Sequence, residues 1–159
     1  MTHRITIERN ALRFAAAHFT TSGGECEPLH GHNYAVTVEI AGSLTPDSWV
    51  IDFSAAKALV RGLCKELDHK FLVPAASTEV TATRSGGELE LKWGERRYVM
   101  PEADAVSLDV DNTTAERLAE WFAGRIAAAL RSRGAGNVTS VSVGVEEMPG
   151  QAGWFTLGL

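Results

Sequence analysis

With 159 residues, 45% of them hydrophobic and 22% charged, the chain has the size and composition of one globular domain with room for a real core. Its formal charge of -5, from 15 basic and 20 acidic residues with no basic run longer than Arg96-Arg97, excludes a broad nucleic-acid surface but leaves room for a small cationic phosphate pocket. No apolar run is long enough to cross a bilayer, Met1 to Ile7 hold no apolar signal core, and two cysteines make no disulfide framework, so a soluble cytoplasmic protein with reduced thiols is expected, with residues 1–159 as a single domain.

Taken in order, Ile5 and Ile7 alternate with polar neighbours, and Leu12 to Ala17 turns apolar, which predicts a strand over residues 4–18 with a break around Asn10. Gly23-Gly24 and Pro28 interrupt regular structure, so residues 19–29 read as a loop. The clearest strand covers residues 32–42, with His32, Tyr34, Val36, Val38 and Ile40 on one face and Asn33, Thr37 and Glu39 on the other. Trp49-Val50-Ile51 reads as a short apolar strand. Asp52 or Ser54 then caps a helix over about residues 53–67, whose stripe is Ala56, Leu59, Val60, Leu63, Cys64 and Leu67.

Residues 73–107 are the least regular part. Glu88 to Leu91 and Arg96 to Met100 flank Lys92-Trp93-Gly94-Glu95, which predicts a hairpin, and Val80 to Thr83 adds an extended piece. Thr113-Thr114-Ala115-Glu116 matches a capping box at the head of a second helix, with Glu116 bonding back to the cap amide. Its stripe runs Leu118, Ala119, Phe122, Ile126, Ala129 and Leu130. Val138 to Val145 alternates as a strand, a turn follows at Pro149-Gly150, and Trp154 to Leu157 makes a last short strand. Two helices among antiparallel-looking strands argue for an α+β domain with the helices on one sheet face. Oligomerisation is the simplest cover for the opposite face.

The chemistry concentrates in Cys26-Glu27-Pro28-Leu29-His30-Gly31-His32. In an extended chain His30 and His32 leave the same face, and His18 ends a separate strand. Three histidines with an open fourth position are the usual makeup of a catalytic zinc site, and zinc suits three neutral imidazoles. A thiol close to such a metal is expected to have a lowered pKa, which makes Cys26 a candidate base or nucleophile. Cys64 lies on a helix stripe and reads as packing. Asp68-His69 follows the first helix. Spacing alone favours Asp68 as a helix-end cap, with His69 at the negative helix end. Glu146 and Glu147 end a strand beside Pro149-Gly150, and a carboxylate there suits a ring edge with two adjacent N–H donors.

Phe14-Ala15-Ala16-Ala17-His18, Cys26-x-x-x-His30-Gly31-His32-Asn33-Tyr34, Asp52-Phe53, Leu67-Asp68-His69-Lys70, Thr113-Thr114-Ala115-Glu116 and Val145-Glu146-Glu147 occur in the order seen in 6-pyruvoyl-tetrahydropterin and 6-carboxytetrahydropterin synthases. The chain resembles that family along nearly its whole length, apart from an enlarged 73–107 segment. The resemblance implies the tunnelling (T-) fold, a four-stranded antiparallel sheet with two helices on its outer face, and homo-hexamers built as a dimer of trimers. It implies zinc on His18, His30 and His32, proton transfer by Cys26, Asp68 and His69, and an acidic pterin anchor at Glu147, with Glu146 as the alternative. The implied substrate is 7,8-dihydroneopterin triphosphate. Glu27 gives the same loop a second pattern, Glu-x-x-His-Gly-His, which resembles the branch that shortens the side chain to 6-hydroxymethyl-dihydropterin. A second departure is Asn112-Thr113-Thr114, where many relatives have Asn-Pro-Thr.

Overall fold

A computed structural model describes residues 1–9 and 12–159; the break expected around Asn10 lies outside the described residues. In chain order the elements are β1 (His3–Ile7), β2 (Arg13–His18), β3 (Thr21–Ser22), β4 (Glu25–Cys26), β5 (His30–Gly42), α1 (Phe53–Leu67), β6 (Lys70–Pro74), β7 (Thr81–Ser85), β8 (Glu88–Trp93), β9 (Arg96–Pro101), β10 (Ala105–Leu108), α2 (Ala115–Ser132), β11 (Val138–Met148) and β12 (Gln151–Gly158), with a short 3-10 turn at Glu102–Asp104.

The main sheet runs β10-β6-β2-β5-β11-β12. β1 pairs with the C-terminal half of β5 and β2 with its N-terminal half, so these two pieces share one edge of the long strand. The four expected antiparallel strands are β2, β5, β11 and β12. The sheet is nevertheless mixed, because β6 joins β2 in parallel and β10 joins β6 in parallel. β6 carries buried residues on successive positions, Phe71-Leu72-Val73, as a strand covered on both sides does; it has no alternation to betray it. Trp49-Val50-Ile51 forms no strand; it is a bend leading into α1. The loop expected over 19–29 contains the small β3–β4 hairpin.

Both helices cover one face. α1 lies over β1, β2 and β6, and α2 over β11 and β12. Their apolar stripes meet the inward residues of β5 and β11 in one core that includes Tyr34, Val36, Val38, Ile40, Val60, Leu67, Leu118, Phe122, Ile126, Val141, Val143 and Val145. Burying each such side chain contributes roughly 1.5–3 kcal/mol before conformational entropy is set against it. Asp52 caps α1, its Oδ2 accepting from the Ala55 N–H at 2.7 Å. The cap of α2 is Thr114, one residue later than the capping box suggests, and its hydroxyl accepts from the Arg117 N–H at 3.4 Å.

Residues 81–101 form a separate antiparallel sheet, β7-β8-β9, in which β8–β9 is the expected hairpin and β7 the expected extended piece. Its two-residue turns are Gly86-Gly87, with φ of 61° and 81°, and Gly94-Glu95, with Gly94 at 54°. Those are positions where hairpin turns require left-handed backbone. Leu89 and Leu91 bury against Phe19, Cys26, Phe71, Val73 and Val80 in a second small core.

One close approach is set by a missing side chain. A Cβ on Gly153 would lie 2.5 Å from the Glu116 backbone nitrogen and 2.7 Å from the Ala115 carbonyl carbon. Gly153→Ala must therefore push β12 off the head of α2, and should cost about 1–3 kcal/mol as overpacking does. Urea denaturation reads this directly, and an unchanged midpoint would show that the two elements separate freely.

Candidate active site

The β2–β5 register sets His18 opposite His30 and Ala16 opposite His32. Strand alternation then turns all three rings toward one point, and one nitrogen from each lies within 4.8 Å of the others. His18 is 1% exposed. Its Nδ1 faces the Thr113 carbonyl at 3.0 Å and the Thr113 hydroxyl at 3.2 Å, while that hydroxyl donates to the Phe19 carbonyl. His30 Nδ1 faces the Pro28 carbonyl at 2.8 Å. Those acceptors assign the proton to Nδ1 in both rings and leave a lone pair on each Nε2. The two Nε2 atoms are 3.2 Å apart. Lone pairs converging in this way repel each other and attract a cation, so the donor set fits a metal ion held by three neutral imidazoles.

Burial first, and then the neighbouring His30, lower the His18 pKa from 6.5 to about 4, so this ring is neutral and ready to ligate near neutrality. The Tyr34 hydroxyl sits 3.2 Å from both His18 ring nitrogens, and burial raises its pKa, keeping it a neutral phenol.

The histidines open into a cavity of about 470 Å³ lined by Thr20, Glu27, Glu116, Glu147 and Gln151 among others. Glu27 reaches it because the β3–β4 hairpin returns the chain beside Thr20. The Glu27 N–H donates to the Thr20 carbonyl at 2.9 Å, and the Thr20 hydroxyl donates to Glu27 Oε2 at 2.6 Å. That hydroxyl is the main reason the Glu27 carboxyl is held below its ordinary value. Glu147 is the extra residue of a β-bulge between Glu146 and Met148 in the β11–β12 ladder, a device that re-aims a side chain. It lines the cavity, and burial raises its pKa against the pull of His32 and His30. Glu146 turns away, its Oε2 accepting from the Gly150 N–H at 3.4 Å.

Cys26 lies elsewhere. Its thiol packs in the second apolar core and does not line the histidine cavity. Burial raises its pKa in the metal-free chain, opposed by Arg96. Burial pushes the Cys64 thiol up to about 12. Both should resist alkylation by iodoacetamide at neutral pH, with Cys64 unreactive until the protein unfolds. Rapid native-state labelling of Cys26 would show a thiolate that this packing does not provide.

Asp68 and His69 do meet: His69 Nδ1 lies 2.9 Å from Asp68 Oδ2, while Asp68 Oδ1 accepts from the Ala15 N–H at 2.8 Å. Chiefly that N–H, and then His69, hold the Asp68 carboxyl low. Asp68 is also the C-cap of α1, so cap and pair coexist. His69 has φ of 59°, a strained value for a non-glycine residue of the sort that clusters at functional sites. His69 lines a different cavity, with Lys70, Met100 and Asp104 in its wall; His32 borders both cavities.

Sequence reasoning missed Thr20, Thr113 and Glu116 as site residues. Thr113 is fully buried against His18, and Glu116 faces the cavity instead of bonding back to the cap. Nothing in the local pattern distinguishes these roles from helix capping.

A profile of the 6-pyruvoyl tetrahydropterin synthase family matches residues 6–156. The chain is 34% identical over 145 residues to a protein of Methanocaldococcus jannaschii provisionally named 6-carboxy-5,6,7,8-tetrahydropterin synthase, covering 91% of this chain and 89% of that protein. A Pyrococcus horikoshii protein with the same provisional name is 33% identical, covering 94% and 90%. Among solved structures, Plasmodium vivax 6-pyruvoyltetrahydropterin synthase, in a variant with a catalytic glutamate replaced by alanine, superposes with a TM-score of 0.90 at 27% identity, covering 100% of this chain and 99% of that one.

Proposed function

The chain belongs to the 6-pyruvoyl tetrahydropterin synthase family, and on that premise we propose that it is a zinc-dependent lyase acting on 7,8-dihydroneopterin triphosphate. Its α+β architecture is the tunnelling fold, and it is an enzyme of pterin biosynthesis of the 6-pyruvoyl- or 6-carboxytetrahydropterin synthase type. One observation carries the proposal: three convergent histidines, an ionised glutamate and a half-buried glutamate line a single cavity.

His18, His30 and His32 hold the zinc through ring nitrogens. Bound there, zinc would polarise the hydroxyl oxygens of the substrate side chain and make the neighbouring protons easier to remove. Glu27 takes a proton from that side chain, oriented by Thr20. Glu147 accepts two N–H donors from the pterin ring edge, which holds the side chain toward the histidines. Asp68 and His69 form the second proton-transfer pair. In the single chain His69 opens on the far side of His32, and the outer edges of β10 and β12, unpaired among the described residues, suit assembly into the homo-hexamer, a dimer of trimers.

The cavity position of Glu27, together with its Glu-x-x-His-Gly-His pattern, favours a second reading of the product: side-chain shortening to 6-hydroxymethyl-dihydropterin. Following the consumption of 7,8-dihydroneopterin triphosphate by phosphorus NMR tests the common reading: elimination frees tripolyphosphate, whereas cleavage between the first two side-chain carbons leaves the triphosphate on a two-carbon aldehyde. Consumption that depends on added zinc is the expected result. Calorimetric binding without any consumption over hours would instead mark a silent pterin-binding protein.

A further inference from the structure

We propose that Arg96 is a positioning residue for this site, and that the β7-β8-β9 sheet exists in part to deliver it. The inference rests on Glu27 acting in the histidine cavity as proposed above.

The β8–β9 hairpin turns at Gly94-Glu95 and sets Arg96 opposite Trp93 at its tip. From there Arg96 Nη1 donates to the Cys26 carbonyl at 2.8 Å and to the Glu27 carbonyl at 3.1 Å. One guanidinium thus holds two successive carbonyls of the loop. Hydrogen bonds from a charged donor are short and roughly twice as strong as neutral ones. The same loop is fixed at three further points. Glu27 N–H and its carboxylate are both held by Thr20, and the next carbonyl, that of Pro28, accepts from His30 Nδ1. The Cys26 side chain anchors the loop from behind in the small core shared with Leu89 and Leu91.

The consequence is geometric. The Glu27 carbonyl belongs to the peptide plane that joins Glu27 to Pro28. With the Cys26 carbonyl held as well, the peptide planes on both sides of the Glu27 Cα are fixed, and with them the direction of its side chain; on the other side the proline ring's fixed φ narrows the direction of the Pro28 carbonyl. The first aims the carboxylate into the cavity. The second sets the proton and the tilt of the His30 ring, the outer-shell contact that orients a metal ligand. Arg96 touches neither metal nor substrate in this arrangement, yet base and ligand both depend on it. The residues that departed most from a plain family pattern are therefore tied to the chemistry by one side chain.

The test compares Arg96→Ala, Arg96→Lys and Arg97→Ala in the zinc-loaded full chain. Arg97 sits next in the same strand but pairs with Glu90 and does not touch the loop, so it reports on sheet stability alone. Arg96→Ala should lower kcat for consumption of 7,8-dihydroneopterin triphosphate roughly 10–100-fold, the size of effect seen when outer-shell contacts are lost, with KM close to wild type. Added guanidinium should restore part of that loss, and Arg96→Lys should fall between. Independently of turnover, the Glu27 N–H, which donates to the Thr20 carbonyl, should exchange with deuterium several times faster in Arg96→Ala than in wild type or Arg97→Ala. Unchanged kcat with that N–H still protected overturns the proposal. So does an equal loss in Arg96→Ala and Arg97→Ala, which would assign the effect to the sheet. If the wild-type protein consumes no 7,8-dihydroneopterin triphosphate, the functional reading fails, and the exchange rates still decide whether Arg96 holds the loop.

Discussion

Glu27→Gln should lower the turnover of 7,8-dihydroneopterin triphosphate by about 10²–10⁴-fold, the usual contribution of a positioned general base, while the zinc content stays at the wild-type level. Glutamine keeps the shape and can still meet the Thr20 hydroxyl, so the loss isolates the carboxylate's proton-accepting role. Cys26→Ala is the informative partner. Cys26 is 6% exposed and packs among Phe19, Phe71, Leu89 and Leu91, so the substitution should cost on the order of 1 kcal/mol of stability. Most of the turnover should survive. The opposite pattern, with Glu27→Gln active and Cys26→Ala dead, would return the base to the thiol that the loop spacing first suggests. Steady-state kinetics beside a thermal melt separates the two losses.

Removing the metal is the second large effect. His30→Ala should leave the protein without bound zinc and lower turnover about 10³-fold or more, because the ion accounts for several kcal/mol of transition-state stabilisation and each 1.36 kcal/mol is a factor of ten. Chelation of the wild type should do the same, reversibly. The metal-free protein should also become acid-sensitive in a defined window. The His18 ring has a pKa near 4 when folded against 6.5 in its ordinary state. Between those values the unfolded chain binds a proton that the folded chain refuses, so stability rises with pH. It is unaffected above about pH 6.5 and falls as pH drops toward 4, by on the order of 3 kcal/mol in all. Urea midpoints of the chelated protein across that range check the sign. A His18→Ala variant removes the dependence, whereas a slope that persists in it would place the responsible group elsewhere.

Much of this was legible in the residues because local pattern and tertiary role coincide. The alternation of His32, Tyr34, Val36, Val38 and Ile40 marks both the central strand and its buried face. The stripe from Ala56 to Leu67 matches the observed α1, Phe53–Leu67. His18, His30 and His32 converge because strand pairing of β2 with β5 does what their spacing implies. The parts that could not be read are those decided by long-range contact. β6 lacks alternation because both its faces are covered, and β10 is four residues long. Thr113 looks like a cap in sequence and becomes a partner of His18 only once α2 is docked. Spacing favours Cys26 as the base, and Glu27 enters only through the family pattern. Consecutive residues near an extended segment point to opposite sides, and only the small core built by Leu89 and Leu91 decides which side is dry. Glu147 over Glu146 follows from a bulge that no residue pattern announces.

The central claim is that the histidine cavity and Glu27 together perform pterin side-chain chemistry. Mass spectrometry of the products that zinc-loaded wild type and Glu27→Gln form from 7,8-dihydroneopterin triphosphate tests it most directly. The account predicts a pterin with an eliminated or shortened side chain from the wild type, and unreacted substrate from Glu27→Gln over the same time. Equal amounts of that product from both proteins, or unchanged substrate from the wild type, would contradict it.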